Sequence, residues 1–353
     1  MNFIHRMGLF PALLLLAASC QKPLFPDKNN NENKAKWENI GYKPERIIQH
    51  LHATPFELFA ISENQFVRFD GNIQLLEKRP LDVAFGVRGI PAVSDNSFVR
   101  MTVDNQARQI VEFHLARNPA QIIQILADTL RSEDDSYLEV EFLARTLGAF
   151  SGDGTLFLLP AKVFPGRYYA FFMFEVVQNA AHNAFTSVKV TKRVNVLDMT
   201  SDFNNLVNIR FLDGNFYVTS REGAWRITPS GQVKKLFSQW MRDVFSRNGN
   251  LYMTGLSSFD LHESSDNGLT WKRLNINSEL KMVETAGNLL FTQEVLGNPY
   301  LLMPEDFLKA QSIVYPKDAS TDFSAYFSVA FFKDRYYFSI EKDIFSTSEV
   351  VTE

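Results

Sequence analysis

A short unit, in which a tight turn precedes a run of apolar residues, recurs along this chain and restricts the possible folds more than any other feature. Three copies, DGNFYVTS, NGNLYMTG and AGNLLFTQ, resemble one another closely, and their shared residues Asn215, Asn250 and Asn288 lie 35 and 38 residues apart. Four weaker copies bring the total to seven: TPFELFAI, SDNSFVRM, GDGTLFLL and FKDRYYFS. Such a period is typical of folds that repeat one supersecondary unit.

The make-up of one repeat identifies this unit as a small antiparallel sheet. Between Val207 and Phe237 the segments VNIRFL, NFYVTS, GAWRIT and QVKKLF alternate with short turns such as DG and PSG. Runs of this kind between turn residues indicate strands joined by hairpins, and four short strands per repeat are typical of a propeller blade. The sequence therefore predicts an all-β closed β-propeller of seven four-stranded antiparallel blades, with six or eight as alternatives. No convincing long amphipathic helix interrupts the repeats, although PAQIIQILADTL, residues 119–130, could form one.

The two ends of the sequence predict how the ring closes. The last repeat contains YFSVAFF, RYYFSI and DIFSTS, and the sequence reaches Glu353 before a fourth strand. KWENI, residues 36–40, precedes the first full repeat and resembles TWKRL of the fifth. We expect this N-terminal strand to complete the last blade, because a closed ring leaves no unpaired strand edge.

One turn carries a fixed pattern of residue types. Between the segments FDLHES and WKRLN of its repeat, SSDNGLTW matches S-x-D-x-G-x-T-W at Ser264, Asp266, Gly268, Thr270 and Trp271. Ser and Asp side chains can hydrogen-bond turn amides, the glycine can adopt a positive φ, and the indole can fill the space between sheets. The pattern resembles the Asp box, or BNR repeat, of sialidase-like and related propellers, including photosystem assembly factors. The resemblance implies a structural turn that lies away from the catalytic face.

The same resemblance raises an enzymatic alternative, a glycoside hydrolase of the sialidase type. It implies an arginine cluster for a carboxylate, an acidic proton donor and a Tyr and Glu pair. VRGIP, residues 87–91, matches the F-R-I-P motif of that family only in part. The candidate residues elsewhere are Arg210, Arg221, Arg335, Tyr336 and Tyr337. Because only one Asp box is recognisable, we expect a non-enzymatic binding or assembly scaffold with no catalytic residues.

The N-terminus has the features of an export signal. MNFIHRMGLFPALLLLAASC joins Arg6, an apolar run over 7–18 and small residues before Cys20, the only cysteine in the chain. The run is too short to span a bilayer, which needs roughly 20 residues. LAASC resembles the bacterial lipoprotein box, which implies that residues 1–19 are removed and that Cys20 is acylated. The alternative is an ordinary signal peptide followed by an incidental cysteine.

The resemblance to lipoproteins also implies a location. Gln21 follows Cys20 where an inner-membrane retention signal often has Asp, which favours an outer-membrane lipoprotein that faces the periplasm or the surface. The remaining residues up to 36 are polar, with two prolines and an Asn cluster, so we expect 20–36 to be a disordered tether. Residues 37–353 are then the propeller.

Charge and spacing exclude several classes of partner. The chain has 36 Lys and Arg residues, 40 Asp and Glu residues and no basic stripe, so nucleic acid is not an expected partner. His50 and His52 place two imidazoles on one face of a strand, but no third ligand is near them in the sequence. SEDDS, residues 132–136, lacks the glycine and the spacing of a calcium loop. We expect no metal, no cofactor, a monomeric chain and a protein or glycan partner.

The third repeat differs from the others. It extends from Val140 to Val196, and its loop QNAAHNA, residues 178–184, is longer than the turns elsewhere. Loops that project from a rigid scaffold commonly carry function, whereas a tolerated surface insertion is the alternative.

The lipoprotein hypothesis makes the first prediction. Cys20→Ser should abolish acylation and release the protein from the membrane fraction, because the lone cysteine is the predicted attachment site. Fractionation and the mass of the mature N-terminal peptide measure both effects. Ser19→Ala, which keeps a small residue before the cysteine, is the control and should remain membrane-bound. Unchanged partition of Cys20→Ser would contradict the hypothesis.

Overall fold

The computed structural model describes residues 36–42, 48–62, 64–81, 91–140, 148–201, 205–255, 260–276, 280, 283–293, 300–307, 310–316, 328–340 and 343–352. The predicted signal peptide, Cys20, nearly all of the tether and residues 87–90 of the motif VRGIP lie outside the described residues. In the described part of the chain, no helix has both the length and the apolar character that a bilayer span requires.

Seven antiparallel sheets follow one another along the chain, and each forms one blade of a β-propeller. Strand β1 (Glu38–Asn39) comes first and belongs to the last blade. Blade 1 contains β2 (Ile48–Ala53), β3 (Leu58–Ser62), β4 (Gln65–Phe69) and β5 (Leu75–Pro80). Blade 2 contains β6 (Ala92–Val93), β7 (Ser97–Val103), β8 (Gln109–Leu115) and β9 (Ile122–Leu126). Blade 3 contains β10 (Tyr137–Val140), β11 (Ala149–Phe150), β12 (Leu156–Phe164), β13 (Tyr168–Gln178) and β14 (Phe185–Thr200).

Each of the other four blades contains four strands. Blade 4 contains β15 (Leu206–Leu212), β16 (Asn215–Ser220), β17 (Gly223–Ile227) and β18 (Val233–Phe237). Blade 5 contains β19 (Met241–Arg247), β20 (Asn250–Gly255), β21 (Asp260–Ser264) and β22 (Lys272–Asn275). Blade 6 contains β23 (Val283–Ala286), β24 (Leu289–Gln293), β25 (Tyr300–Met303) and β26 (Gln311–Ser312). Blade 7 contains β27 (Val329–Phe332), β28 (Arg335–Ile340), β29 (Asp343–Thr347) and β1.

All seven copies of the sequence repeat fall at the second strand of a blade, namely β3, β7, β12, β16, β20, β24 and β28. These strands are the most uniformly apolar because neighbouring blades cover both faces of each blade. Side chains on either face of the strand are therefore buried. β3 is buried along its whole length, whereas the fourth strand β5 is largely exposed. The prediction of a seven-bladed propeller is confirmed.

The N-terminal strand closes the ring as the sequence predicted. β1 pairs antiparallel with β29, with Glu38 opposite Ser346 and Asn39 opposite Phe345. The Trp37 indole Nε1 donates to a carbonyl oxygen of blade 6, that of Val314, at 2.8 Å. One short N-terminal segment therefore joins the first residues of the described chain to the last two blades.

Residues 119–130, which the sequence left open as a helix, do not form an α-helix. Residues 122–126 form β9, the outer strand of blade 2, and only Ala127–Leu130 forms one 3₁₀ turn. Ile123 and Ile125 alternate toward the core, whereas Gln124 donates to the Glu112 carboxylate at 2.7 Å. Pairing with β8 imposes this period of two and overrides the weaker helical period.

A buried carboxylate links the first strands of three blades near the axis. Asp243 of β19 is fully buried. From blade 4, Asn208 Nδ2 donates to Asp243 Oδ1 at 2.7 Å, and Arg210 Nε donates to the same oxygen at 2.8 Å. From blade 6, the Val283 amide donates to Asp243 Oδ2 at 2.8 Å. Burial of this charge is tolerated because each of these contacts supplies a donor or a positive charge.

Ring closure generates the second prediction. Deleting residues 21–34 should leave the melting temperature unchanged, because that segment precedes every described contact. Extending the deletion through Ile40 should destabilise the protein by about 3 kcal/mol or more, since it removes the Trp37 packing and leaves β29 as an open edge. Thermal melts of the two truncations measure the difference, and equal melting temperatures would contradict closure by this strand.

Candidate functional site

The strand order assigns every turn to one of two faces of the ring. Turns from first to second and from third to fourth strands lie on face 1, for example 213–214 and 265–271. Turns from second to third strands and connections between blades lie on face 2, for example 221–222 and 238–240. This alternation follows from the antiparallel pairing within each blade.

The segment SSDNGLTW forms the turn between β21 and β22 on face 1. Asp266 Oδ1 accepts the amides of Leu269 and Thr270 at 3.0 and 2.8 Å, and Thr270 Oγ1 donates to Asp266 Oδ2 at 2.7 Å. Ser264 Oγ accepts the Gly268 amide at 2.8 Å, and Gly268 has φ +77°. The hydrogen bonds from Thr270, followed by that from Ser264, lower the pKa of Asp266 to about 2. These bonds hold the carboxylate in its ionised form.

The same turn packs against blade 4. The Trp271 and Phe237 rings meet edge to face at a centroid distance of 5.2 Å. Arg226 Nη1 donates to the Asn267 carbonyl oxygen at 2.9 Å. The five residues of the sequence motif therefore lie together, within a turn that joins two blades. This geometry is that of a structural element.

A second turn with a related hydrogen-bond pattern escaped the sequence analysis. Ser151 Oγ donates to Asp153 Oδ1 at 2.6 Å, and Thr155 Oγ1 donates to the same atom at 2.8 Å. The turn joins β11 to β12 on face 1 of blade 3. The signal in the sequence is the spacing S-x-D-x-T, formed by the start of GDGTLFLL and the residue before it. This spacing is two residues shorter than S-x-D-x-G-x-T in blade 5.

The two histidines of β2 lie on one face of the strand, with ring centroids 6.3 Å apart. Burial, followed by the neighbouring His52, lowers the pKa of His50 to about 3, so this imidazole is neutral at physiological pH. His52 Nε2 lies 3.0 Å from Asp95 Oδ1. Among the residues that the structure describes, no group of three or more His, Cys, Asp and Glu side chains is arranged to hold a metal.

The acidic run 132–136 and the loop 178–184 are both held by neighbouring segments. Asp135 accepts Arg193 Nη2 at 3.0 Å and the Ser132 amide at 2.9 Å. Asn118 Nδ2 of blade 2 donates to the Asn183 carbonyl oxygen at 2.7 Å. The loop thus rests on the adjacent blade.

The residues of the sialidase alternative have separate partners. Arg210 Nε pairs with Asp243 at 2.8 Å, and Arg335 Nη2 lies 3.1 Å from a Glu38 oxygen. Tyr336 Oη donates to the Asn288 side chain at 3.0 Å, and Tyr337 is buried. Of the three arginines in this set, Arg221 is the one that makes no ion pair within the described chain. These five residues therefore do not form a shared site for a carboxylate.

Face 2 carries a cluster that the sequence analysis missed, formed by Arg221, Trp240 and Arg242 where blade 4 meets blade 5. The guanidinium carbon of Arg221 lies 5.2 Å from the Trp240 ring centroid, and that of Arg242 lies 5.9 Å from it. Each such contact is worth roughly 0.5–1 kcal/mol at an exposed site. Two positive charges are thus held over one aromatic ring.

Local backbone structure positions each member of this cluster. Arg221 occupies the turn after β16, and its amide donates to the Asn205 carbonyl oxygen at 2.8 Å. Arg242 lies at an irregularity in β19, where the pairing shifts between Met241 and Asp243. Bulges of this kind redirect side chains. The Arg242 carbonyl oxygen accepts Thr219 Oγ1 at 2.9 Å, which fixes the bulged residue to blade 4.

No carboxylate of the described chain neutralises the two arginines of this cluster. Glu222, the neighbour of Arg221, accepts instead the Thr200 amide at 2.8 Å and Asn205 Nδ2 at 3.1 Å. Trp240 Nε1 and Arg242 Nε are buried and have no hydrogen-bond partner within the described chain. A signal for part of this cluster exists in QWMR, which places an aromatic residue and an arginine two positions apart after an outer strand. Nothing in the sequence links QWMR to Arg221.

Comparison with known proteins supports the fold alone. No family model matches the chain, and no curated protein matches its sequence. The extracellular domain of the putative one-component system BT4673 from B. thetaiotaomicron is similar with a TM-score of 0.53 and 12% identity, over 88% of this chain and 40% of that chain. BamB from Moraxella catarrhalis gives 0.51 and 10% identity, over 89% and 98%. The WD40 domain of SCAP from fission yeast gives 0.50 and 9%, over 90% and 98%.

The turn on face 1 generates the third prediction. Asp266→Ala should lower the melting temperature at pH 7, because its carboxylate caps two turn amides. Trp271→Ala should cost more, about 3 kcal/mol, because it empties a site between blades. Both variants should keep any binding activity in proportion to their folded fraction.

The pKa of Asp266 gives this prediction a pH dependence. Its value of about 2 lies below that of an unfolded aspartate, about 3.9, so its stabilising effect is present above pH 4 and is lost as the pH falls through that range. The melting temperatures of wild type and Asp266→Ala should therefore converge near pH 2. An Asp266→Ala variant with the wild-type melting temperature but without binding would contradict the structural role.

Proposed function

We propose that this protein is an outer-membrane lipoprotein whose propeller is a non-enzymatic binding scaffold for a protein partner. Acylated Cys20 would anchor the chain, and the tether that follows would hold the ring near the membrane. SSDNGLTW would act as a structural Asp box. Fold by itself does not determine function, because propellers serve many unrelated activities.

The observation that carries the proposal is the cluster of Arg221, Trp240 and Arg242 on face 2. Arg210 and Asp243, on the first strands of blades 4 and 5, pair with each other. The guanidinium groups of Arg221 and Arg242 have only the Trp240 ring as a partner among the described residues. Exposed or half-buried groups that leave their bonding capacity unused on a rigid scaffold favour recognition of another molecule.

The sialidase alternative receives no comparable support. Two of its candidate arginines, Arg210 and Arg335, already pair with carboxylates of this chain. A sialidase needs such arginines to bind the carboxylate of its substrate, and those pairs would have to break first.

The fourth prediction tests scaffold against enzyme. The full-length chain in detergent should not release 4-methylumbelliferone from its sialoside faster than a heat-denatured sample. The immobilised chain should retain a protein from membranes of its own host, and that protein, when tagged, should retain this chain in return. Mass spectrometry identifies both directions of capture.

Two outcomes would contradict the proposed function. One is turnover of the sialoside that Arg210→Gln abolishes. The other is the absence of any protein captured in both directions. Asp266→Ala serves as a control, since its capture should follow its folded fraction.

A further inference from the structure

We propose that Arg221, Trp240 and Arg242 bind the carboxylate of an acidic peptide segment in the protein partner. The inference rests on the proposed function, because it specifies the chemistry by which that partner is recognised. It also assigns recognition to face 2, at the junction of blades 4 and 5, rather than to the turn on face 1 that carries the sequence motif.

The bonding capacity of the cluster consists of donors only. The exposed Arg221 guanidinium makes no hydrogen bond within the described chain, and the half-buried Arg242 lies at the same indole ring. Indole and guanidinium groups can donate hydrogen bonds but have no acceptor atom. A complementary group must therefore accept hydrogen bonds, and a planar carboxylate can accept two from one guanidinium.

Charge distribution points to the same class of ligand. Arg68 contacts Glu57 and Glu77 at 3.0 and 2.8 Å, and is therefore neutralised within its own blade. Arg221 and Arg242 approach the same indole ring and find no carboxylate within ion-pair distance in the described chain. Two like charges held close together repel each other, and a bound anion removes that repulsion.

The cluster is also positioned before any ligand arrives. The Arg221 amide is fixed by the Asn205 carbonyl oxygen, and the Arg242 carbonyl oxygen is fixed by Thr219 Oγ1. The half-buried indole stacks against both guanidinium groups, which restricts their side chains. Less conformational entropy is then lost when the ligand binds.

The arrangement favours a peptide over a sugar. A sugar ring that stacks on tryptophan needs an uncovered indole face. The guanidinium groups of Arg221 and Arg242 lie over the Trp240 ring at 5.2 and 5.9 Å from its centroid and occupy that surface. An Asp or Glu side chain needs only the outward N–H groups.

The fifth prediction tests this site with a defined probe. Fluorescein-labelled hexaglutamate should bind the full-length chain in detergent at low salt, as measured by fluorescence anisotropy, and hexaglutamine should not. The double variant Arg221→Gln/Arg242→Gln should weaken binding about tenfold to a hundredfold, because charge-assisted hydrogen bonds are lost. Trp240→Phe, which gives the two guanidinium groups a weaker cation–π partner, should weaken binding to a smaller extent.

A second double variant is the matched control. Lys234→Gln/Lys272→Gln removes the same two charges from exposed lysines of the outer strands β18 and β22. It should bind hexaglutamate as the wild type does and melt at the wild-type temperature, since neither lysine makes an ion pair in the described chain. Arg221→Gln/Arg242→Gln loses two cation–π contacts, so it should melt slightly lower than the wild type but remain folded at the temperature of the binding assay.

Three results would overturn the proposal. They are failure of the wild type to bind hexaglutamate, equal weakening by the two double variants, and displacement of the peptide by 3′-sialyllactose, which would assign the site to a sugar acid. The proposed function fails separately. Peptide binding without a protein captured in both directions would support the site and refute the scaffold role. Capture that survives Arg221→Gln/Arg242→Gln would support the scaffold role and refute the site.

Discussion

Pairing of β1 with β29 is the interaction on which the rest of the ring depends. Each blade buries its two faces against its neighbours, so a ring with one incomplete blade would expose a strand edge and part of an apolar face. Glu38 and Asn39 supply only two paired residues, but Trp37 adds a ring 5.2 Å from Phe338 and a hydrogen bond to Val314. Closure therefore couples local strand pairing with contacts across two blades.

Once the ring is closed, its interior determines which charges are tolerated. Where blades 1 and 2 meet, Arg100 Nε lies 2.8 Å from Glu112, and His114 stacks on Phe98 at 4.7 Å. Burial acts to raise the pKa of Glu112, but the His114 hydrogen bond and the Arg100 charge lower it to about 2. Asp243 is satisfied in a similar way. The two arginines on Trp240 differ from these paired groups, since neither has a carboxylate partner in the described chain.

Much of this architecture is accessible from the sequence, because the second strands are apolar on both faces and follow tight turns. Those two properties mark all seven blades, and the outer strand of the last blade is visible in KWENI. The segment 119–130 stayed open between helix and strand because its apolar residues fit a helical and an alternating pattern alike. Only the neighbouring strand β8 selects the alternation.

The candidate site was not accessible in the same way. Arg221, Trp240 and Arg242 come from a turn, a connection between blades and a bulge, and their spacing in the chain follows no motif. Sequence alone determined the repeat and the closing strand and favoured seven blades over six or eight, because these depend on local periodicity and turn chemistry. Tertiary structure alone decided which arginines are neutralised and which are not, because ion pairing depends on distances between blades that sequence separation does not encode.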